Sequence, residues 1–411
     1  MAAMLQPEVE SEMLKGFSKP KRAELTVEET EPEAREKGCK DAVMQLVDDF
    51  AESKAEDITC KTLQGGITNQ LYLMEDKTKN AAALVRLYGP NTELLIDRPV
   101  ECLVFHILGE KGFGPKLLGL FENGRVEAYI PSKGVAPEEM GQREPADYMK
   151  LIAQELARMH DLDMPLSHEP QLWSFLHKFR DMTNDISFSD KPKDQAILEE
   201  LRLPEVRKRL EELEKELPSA ANNFGQDLID QHAGHGSAEL EAIKFLFASR
   251  FCHNDLLAGN VLYVEDSSPP RMQFIDFEYG KYNFRGFDFA NHFCEYAGFD
   301  FDLAKWYPSV SAQRHFMEEY LEAIVKAGND KDVERLHFRL MTEPTFADTF
   351  YASALVWTTK FAEASHIFWG LWGIIQQKFS PIDFDYLGYA RLRLKSISLD
   401  EPDNGDGAAS S

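Results

Sequence analysis

An α+β fold in two lobes is predicted, with a small N-terminal lobe built on an antiparallel sheet and one inserted helix, and a larger, mostly helical C-terminal lobe. Three observations predict it. The chain has 411 residues, more than one hydrophobic core usually serves, so two lobes are expected. Residues 58–130 break into short apolar runs separated by Gly, Asn and Asp turns, the pattern of strands and hairpins. From residue 148 onward the apolar residues return at helical spacing.

Taken in order, residues 1–38 mix Glu, Lys and Pro without lasting periodicity and predict a mobile lead with at most a short helix. The N-terminal lobe spans 39–131. Residues 41–50 carry helical apolar spacing at Val43, Leu46, Val47 and Phe50, and 58–63 begin a strand that runs into the Gly65-Gly66 turn. Residues 71–74 and 83–87 predict the next strands, 97–108 the inserted helix, and 117–121 with 126–130 a hairpin closed by Glu122-Asn123-Gly124. The sheet ends near Pro131, where a crossover to the second lobe would set an adenine ring against backbone groups, with Glu127 and Ile130 on the nucleotide side. The second lobe, 132–398, is predicted to be helical apart from two strands around the catalytic loop. Within it, 204–217 alternates charge at helical spacing, which predicts a solvated helix face. His232 and His235 in a Gly-rich stretch lack an acidic or Cys partner at fixed spacing and do not predict a metal site. The acidic tail, 399–411, has no apolar content and predicts disorder.

Charge and cysteine usage narrow the function classes. A net charge of -25 argues against nucleic acid held on a basic face and against adhesion to anionic membrane. The five cysteines are scattered without a close pair, which suits reduced thiols in the cytoplasm better than a disulfide framework or zinc site. No stretch of 18 apolar residues occurs, so no membrane span is expected.

The chemistry is concentrated in FCHNDLLAGNVLYVEDSSPPRMQFIDFEYG, residues 251–280. Phosphoryl transfer needs oxygen ligands that hold Mg²⁺ on nucleotide phosphates and a carboxylate near the attacking hydroxyl. Asp255 and Asn260, five residues apart, have the spacing of the catalytic-loop Asp and Asn of protein kinases, and Asp276 follows where a second metal-binding Asp would stand. Asp255 is the expected base, Asn260 and Asp276 the metal ligands, and Glu278, on the same strand face as Asp276, a further one.

The residues after Asp276, Tyr282-Asn283-Phe284-Arg285-Gly286-Phe287-Asp288-Phe289-Ala290-Asn291-His292-Phe293-Cys294-Glu295, resemble the corresponding stretch of the choline/ethanolamine kinase family. Gly65-Gly66-Ile67-Thr68-Asn69-Gln70, Val85-Arg86-Leu87-Tyr88-Gly89, Gly114-Pro115-Lys116-Leu117 and Phe368-Trp369-Gly370-Leu371-Trp372-Gly373 extend the resemblance over roughly residues 60–395. It implies a bilobal protein-kinase-like fold, ATP as co-substrate with Mg²⁺, and an amino alcohol as acceptor, and it leaves a homodimer open. Gly65, Gly66, Thr68 and Asn69 would cover the phosphates. Arg86 would stand in place of the usual strand lysine, clamping phosphate and pairing with Glu101 of the inserted helix.

The resemblance also places Trp369, Trp372 and Tyr389 around an alkylammonium head, with Tyr279 and Glu295 adding a ring and a charge. Phe384 and Tyr386 supply further aromatic faces nearby. Ammonium keeps N–H donors that must be satisfied on burial, and Ala297-Gly298 with Asp300 resembles the ethanolamine-preferring branch. The expected reaction is therefore phosphorylation of ethanolamine, the first step of the CDP-ethanolamine route to phosphatidylethanolamine. Choline kinase or dual activity stays open as the alternative. An aminoglycoside-type phosphotransferase and an inactive kinase-like interaction protein are the more distant ones.

Overall fold

A computed structural model describes residues 6–63, 69–217 and 237–397. The Gly65, Gly66 and Thr68 turn, the His232 to Gly236 stretch and the acidic tail lie outside the described residues.

The first lobe is a five-stranded antiparallel sheet of β1 (Ile58–Leu63), β2 (Asn69–Asp76), β3 (Ala81–Tyr88), β4 (Leu117–Phe121) and β5 (Gly124–Ala128), in the order β1-β2-β3-β5-β4. Side chains alternate across a strand, and here that alternation separates core from site. Ala83, Val85 and Leu87 are fully buried beside Val126 and face the helix Pro32–Leu46, whose Cys39, Ala42, Val43 and Leu46 complete this core. Arg86 therefore falls on the opposite face of β3, toward the second lobe. Because Arg86 is paired in register with Arg125 of β5, the two guanidinium groups share that face. The inserted helix runs from Arg98 to Glu110, capped by Asp97, whose carboxylate accepts the Val100 N–H.

The segment expected as a mobile lead is packed over its described part. A short helix, Pro7–Met13, buries Met13, and Leu14 and Val27 are also buried. Ala23 N–H donates to the Leu120 carbonyl at 2.9 Å, Leu120 N–H to Lys21 and Glu122 N–H to Leu25, so residues 21–25 run alongside β4. The Asn123 side chain closes on Val27 by two hydrogen bonds of 2.9 Å. Composition did not show this because the pairing is made by backbone groups.

The second lobe contains more strand than the expected two. β6 (Lys133–Gly134), β8 (Val261–Val264) and β9 (Arg271–Phe274) form one small sheet, and β7 (Ser249–Cys252) pairs with β10 (Lys281–Phe284) in another. At two to four residues each, these runs are too short to show a period against the surrounding helices. The rest is helical, dominated by a 36-residue helix, Pro344–Phe379, whose buried half packs against the helices Arg285–Glu295 and Tyr386–Leu394. Gly370 and Gly373 make that approach close, since a Cβ at Gly373 would lie 2.8 Å from the Tyr386 carbonyl. Among the described residues no helix is long and apolar enough to cross a membrane, and all five cysteines are free thiols.

Candidate active site

β7 delivers His253-Asn254-Asp255 into the cleft between the lobes, and a buried carboxylate shapes the turn. Asp288, one turn into the helix Arg285–Glu295, accepts the N–H groups of His253 at 2.9 Å and Asn254 at 2.7 Å, and the His160 ring at 3.0 Å. These bonds and the His160 partner hold Asp288 below the usual carboxylate range against the opposing effect of burial. Asn254 is left-handed, φ +63°, a conformation Asn tolerates better than most residues. Its amide donates to the Tyr279 carbonyl at 2.9 Å, which fastens the 253–255 turn to the turn that carries Asp276 and Glu278. The His253 ring does the same through the Ile275 carbonyl at 3.0 Å.

Asn260, on a single helical turn after Asp255, donates from Nδ2 to the Asp255 carbonyl at 2.8 Å and to its Oδ2 at 3.2 Å. Asp255 is pushed well above the ordinary Asp range, first by burial and then by the nearby carboxylates of Glu295, Asp276 and Glu278. Asp276 is also left-handed, φ +62°. Its Oδ2 accepts from Arg86 Nη1 at 3.1 Å, while Oδ1 is buried without a hydrogen-bond partner. Burial raises its pKa, but the Arg86 and Arg125 charges outweigh it and hold Asp276 low. Glu278 is raised, by burial first and by Asp276 next, and accepts from Arg98 Nη1 at 3.1 Å and Asn69 Nδ2 at 3.3 Å. Asn69 thus joins the site at the start of β2.

The expected Arg86–Glu101 pair is replaced by a longer chain of charges. Arg86 Nε donates to Glu127 Oε1 at 2.8 Å, Arg125 Nε donates to the same oxygen at 2.7 Å, and Arg125 Nη1 pairs with Glu101. Two like charges opposite each other on adjacent strands repel, and the shared carboxylate of Glu127 between them offsets this. Glu101 still reaches the site, through Arg125. Glu127 lies beneath it as a buried bridge, and Ile130 follows β5 at the crossover, its carbonyl accepting from Ser132 Oγ at 2.9 Å.

One cavity of about 300 Å³ collects Asp255, Asn260, Asp276, Glu278, Tyr279, Glu295, Trp369, Trp372 and Tyr389. The two tryptophans meet edge to face at 5.5 Å. Each indole N–H is anchored, Trp372 to the Tyr279 hydroxyl at 2.9 Å and Trp369 to Asn291 Oδ1 at 2.7 Å. Tyr386 and Phe384 stand behind this lining. Tyr386 packs on Trp372 at 5.6 Å and Phe384 on Tyr386 at 4.9 Å, but neither lines the cavity. Glu295 Oε1 accepts from Arg393 Nη1 at 2.8 Å, and Arg393 is itself fully buried.

Asp300, expected beside Glu295, is exposed and lies outside the cavity lining. The loop turns at Gly298 and Phe301, both with φ +58°, so that Phe299 lines the cavity instead. Sequence reasoning also missed Arg98, Arg125, Asp288, Asn291 and Arg393 as site-shaping residues. Asp288 and Asn291 stood inside the family-like stretch, whereas Arg98, Arg125 and Arg393 carry no local signal. A buried cluster of His160, Cys252 and Asp288 is accounted for by hydrogen bonding, since His160 also pairs with the Tyr320 hydroxyl at 2.8 Å and Cys252 donates to the Asn283 carbonyl.

Four carboxylates and five aromatic side chains around one space suit an organic cation, and the oxygen-rich floor suits a hard metal ion. The comparisons with known proteins agree with that chemistry. The family model for choline/ethanolamine kinases matches residues 60–398. A probable ethanolamine kinase of Arabidopsis thaliana is 36% identical over 367 residues, 89% of this chain and 84% of that protein. The choline/ethanolamine kinase of Homo sapiens is 31% identical over 358 residues, 83% of this chain and 79% of that protein. Among solved structures, the Plasmodium vivax ethanolamine kinase superposes with a TM-score of 0.67 at 25% identity, covering 96% of this chain and 95% of its own. Choline kinase from Cryptosporidium parvum shares the fold, with a TM-score of 0.61 at 22% identity over 87% of this chain and 92% of its own. With more than half its length matched by the family model and relatives above 30% identity covered over most of their length, this chain belongs to the choline/ethanolamine kinase family of ATP-dependent small-molecule kinases.

Proposed function

We propose that the protein transfers the γ-phosphoryl group of ATP to the hydroxyl of ethanolamine. The observation that carries this reading is the cavity in which Asp255 and Glu295 face the rings of Trp369, Trp372 and Tyr389. A primary ammonium keeps three N–H donors, and acidic oxygens beside aromatic faces satisfy both its hydrogen bonding and its charge. The name ethanolamine kinase carried by the first relatives, from Arabidopsis thaliana, Dictyostelium discoideum and Mus musculus, supports the same acceptor.

Asp255 orients the acceptor hydroxyl and takes its proton late in the transfer, a role suited to a carboxylate whose burial favours the protonated form. Asn260 fixes its direction. Arg86 and Arg98 hold Asp276 and Glu278 and add positive charge at the floor, where phosphate oxygens would lie. The buried, unpaired Oδ1 of Asp276 fits a Mg²⁺ ligand. Asp276 and Asn260 would hold the ion, with Glu278 behind them, and bound Mg²⁺ supplies neutralisation of charge on the β- and γ-phosphates. The free thiols support a cytoplasmic setting.

An ADP-release assay comparing ethanolamine, its N-methyl derivatives and choline tests the acceptor. The highest kcat/KM is expected for ethanolamine, falling with each methyl group. A preference for choline would replace this reading by choline phosphorylation, and turnover on neither would remove the amino-alcohol assignment.

A further inference from the structure

Before residues 21–25 reach β4, the chain crosses the C-terminal half of the inserted helix, Arg98–Glu110. Met13 and Leu14 are buried in one core with Leu103 and Ile107 of that helix, and Phe17 packs against the same core. His106, 5% exposed, donates from Nε2 to the Ser18 carbonyl at 2.7 Å. A carbonyl only accepts, so this ring nitrogen carries the proton. The Ser18 hydroxyl donates to Glu110 Oε2 at 3.1 Å, and the Lys111 ammonium lies 5.6 Å from the centre of the Phe17 ring. Beyond Ser18 the segment is fixed again, with Pro20 buried, Arg22 paired with Glu10 at 2.7 Å, and the backbone of residues 21–25 bonded along β4. It thus ties the end of the helix to the outermost strand of the sheet.

The opposite end of the same helix carries the site. Arg98 gives Nη1 to Glu278 at 3.1 Å and Nη2 to Asn69 at 3.2 Å, and Glu101 pairs with Arg125. At 1.5 Å of rise per residue, Arg98 and His106 lie about 12 Å apart along one rod, so a tilt at His106 is carried to Arg98. The end of that rod is closely seated, since a Cβ at Gly109 would lie 2.9 Å from the Pro115 carbonyl. Neither His106 nor Ser18 lines the cavity of the cleft.

We propose that residues 13–22 form a strap that sets the tilt of the inserted helix for nucleotide binding, with His106 as its positioning residue. The inference rests on ATP as co-substrate and on Arg98 and Glu278 as the phosphate side of the cleft. The groups that face the acceptor, Glu295, Trp369, Trp372 and Tyr389, stand on helices of the second lobe, so the strap acts on nucleotide affinity and leaves amino-alcohol affinity alone.

The test is calorimetric titration of a non-hydrolysable ATP analogue with Mg²⁺ into the full chain, beside steady-state KM values for ATP and for ethanolamine. His106→Leu removes the donor and should weaken analogue binding at least about threefold, within the range of one neutral hydrogen bond, with the KM for ATP rising in step and the KM for ethanolamine unchanged. His106→Gln, whose amide N–H replaces the ring donor, should restore most of that affinity. Ser18→Asp is a surface change that leaves the core intact and sets a second carboxylate against Glu110; it should weaken analogue binding at low salt and recover at high salt, where exposed charges are screened. Analogue affinity within wild-type error in folded Ser18→Asp and His106→Leu overturns the strap, and so does an equal loss in His106→Leu and His106→Gln or a parallel rise of both KM values. Those results differ from absence of analogue binding to the wild type, which would remove the nucleotide reading and the strap with it.

Discussion

Replacing Arg86 by Lys isolates the geometry of the guanidinium from its charge. In the wild type one buried group spans two carboxylates, giving Nε to Glu127 at 2.8 Å and Nη1 to Asp276 at 3.1 Å. An ammonium is a single point and cannot hold both directions. Glu127 would keep Arg125, whose Nε lies 2.7 Å away, so the sheet loses little. Asp276 has no comparable substitute, because its other oxygen has no partner. The loss is one buried charge-assisted hydrogen bond, roughly 1.5–3 kcal/mol, which corresponds to a fall of about 10- to 150-fold in kcat/KM for ATP. Steady-state ADP release measures that ratio, and thermal unfolding of the same sample shows whether the variant is folded. Activity within about twofold of wild type in a folded Arg86→Lys protein would refute the reasoning, since ~0.4 kcal/mol is below any buried charged bond.

Asp255→Asn should lower turnover by several orders of magnitude, judged by kcat, while leaving ATP affinity near wild type. It should also raise Tm. A carboxyl with a raised folded-state pKa contributes stability fully at acid pH and loses it as pH rises through that pKa, so removing the ionisable group helps at neutral pH and does nothing near pH ~3. Melting curves without nucleotide or Mg²⁺ across that range check the sign, and a variant no more stable than wild type at neutral pH contradicts it. Trp372→Phe removes the indole N–H that meets Tyr279 at 2.9 Å; the KM for the amino alcohol should rise about fivefold, on the scale of ~1 kcal/mol for one such bond, and an unchanged KM would show that Tyr279 is held by other means. Asp300→Tyr should leave both stability and the ethanolamine-to-choline ratio of kcat/KM unchanged within ~0.5 kcal/mol, as for an exposed position. A shift toward choline would return Asp300 to the acceptor site.

The parts of the site legible in the sequence were those whose chemistry is set by short spacing. Asp255 and Asn260 are five apart, and Asp276 and Glu278 share one short run, so side-chain type and distance along the chain sufficed to group them. Trp369 and Trp372 were legible as one helix face. Residues whose roles come from distant partners were not: Asp288 meets the Asn254 N–H across 34 positions, and Arg393 meets Glu295 across 98. Nothing in a linear pattern says that Arg125, rather than Arg86, receives Glu101, because both arginines occupy the same face of neighbouring strands. Asp300 failed for a local reason, a pair of left-handed residues around it that redirect the loop. Fold class was legible from periodicity, and two strands around the catalytic loop were expected, whereas the rest of β6 to β10 were too brief to register.

The segment running along β4 bears on how this protein can be shortened. β4 is the outermost strand of its sheet, and residues 21–25 occupy the row of donors and acceptors that such a strand leaves open. A version trimmed to the family's matched span, from residue 60, would bare that row together with the apolar bed of Val27 and remove the helix Pro32–Leu46. An uncovered strand edge recruits strands from other molecules. Such a trimmed protein would thus lose solubility through intermolecular sheet extension, even with every catalytic residue in place.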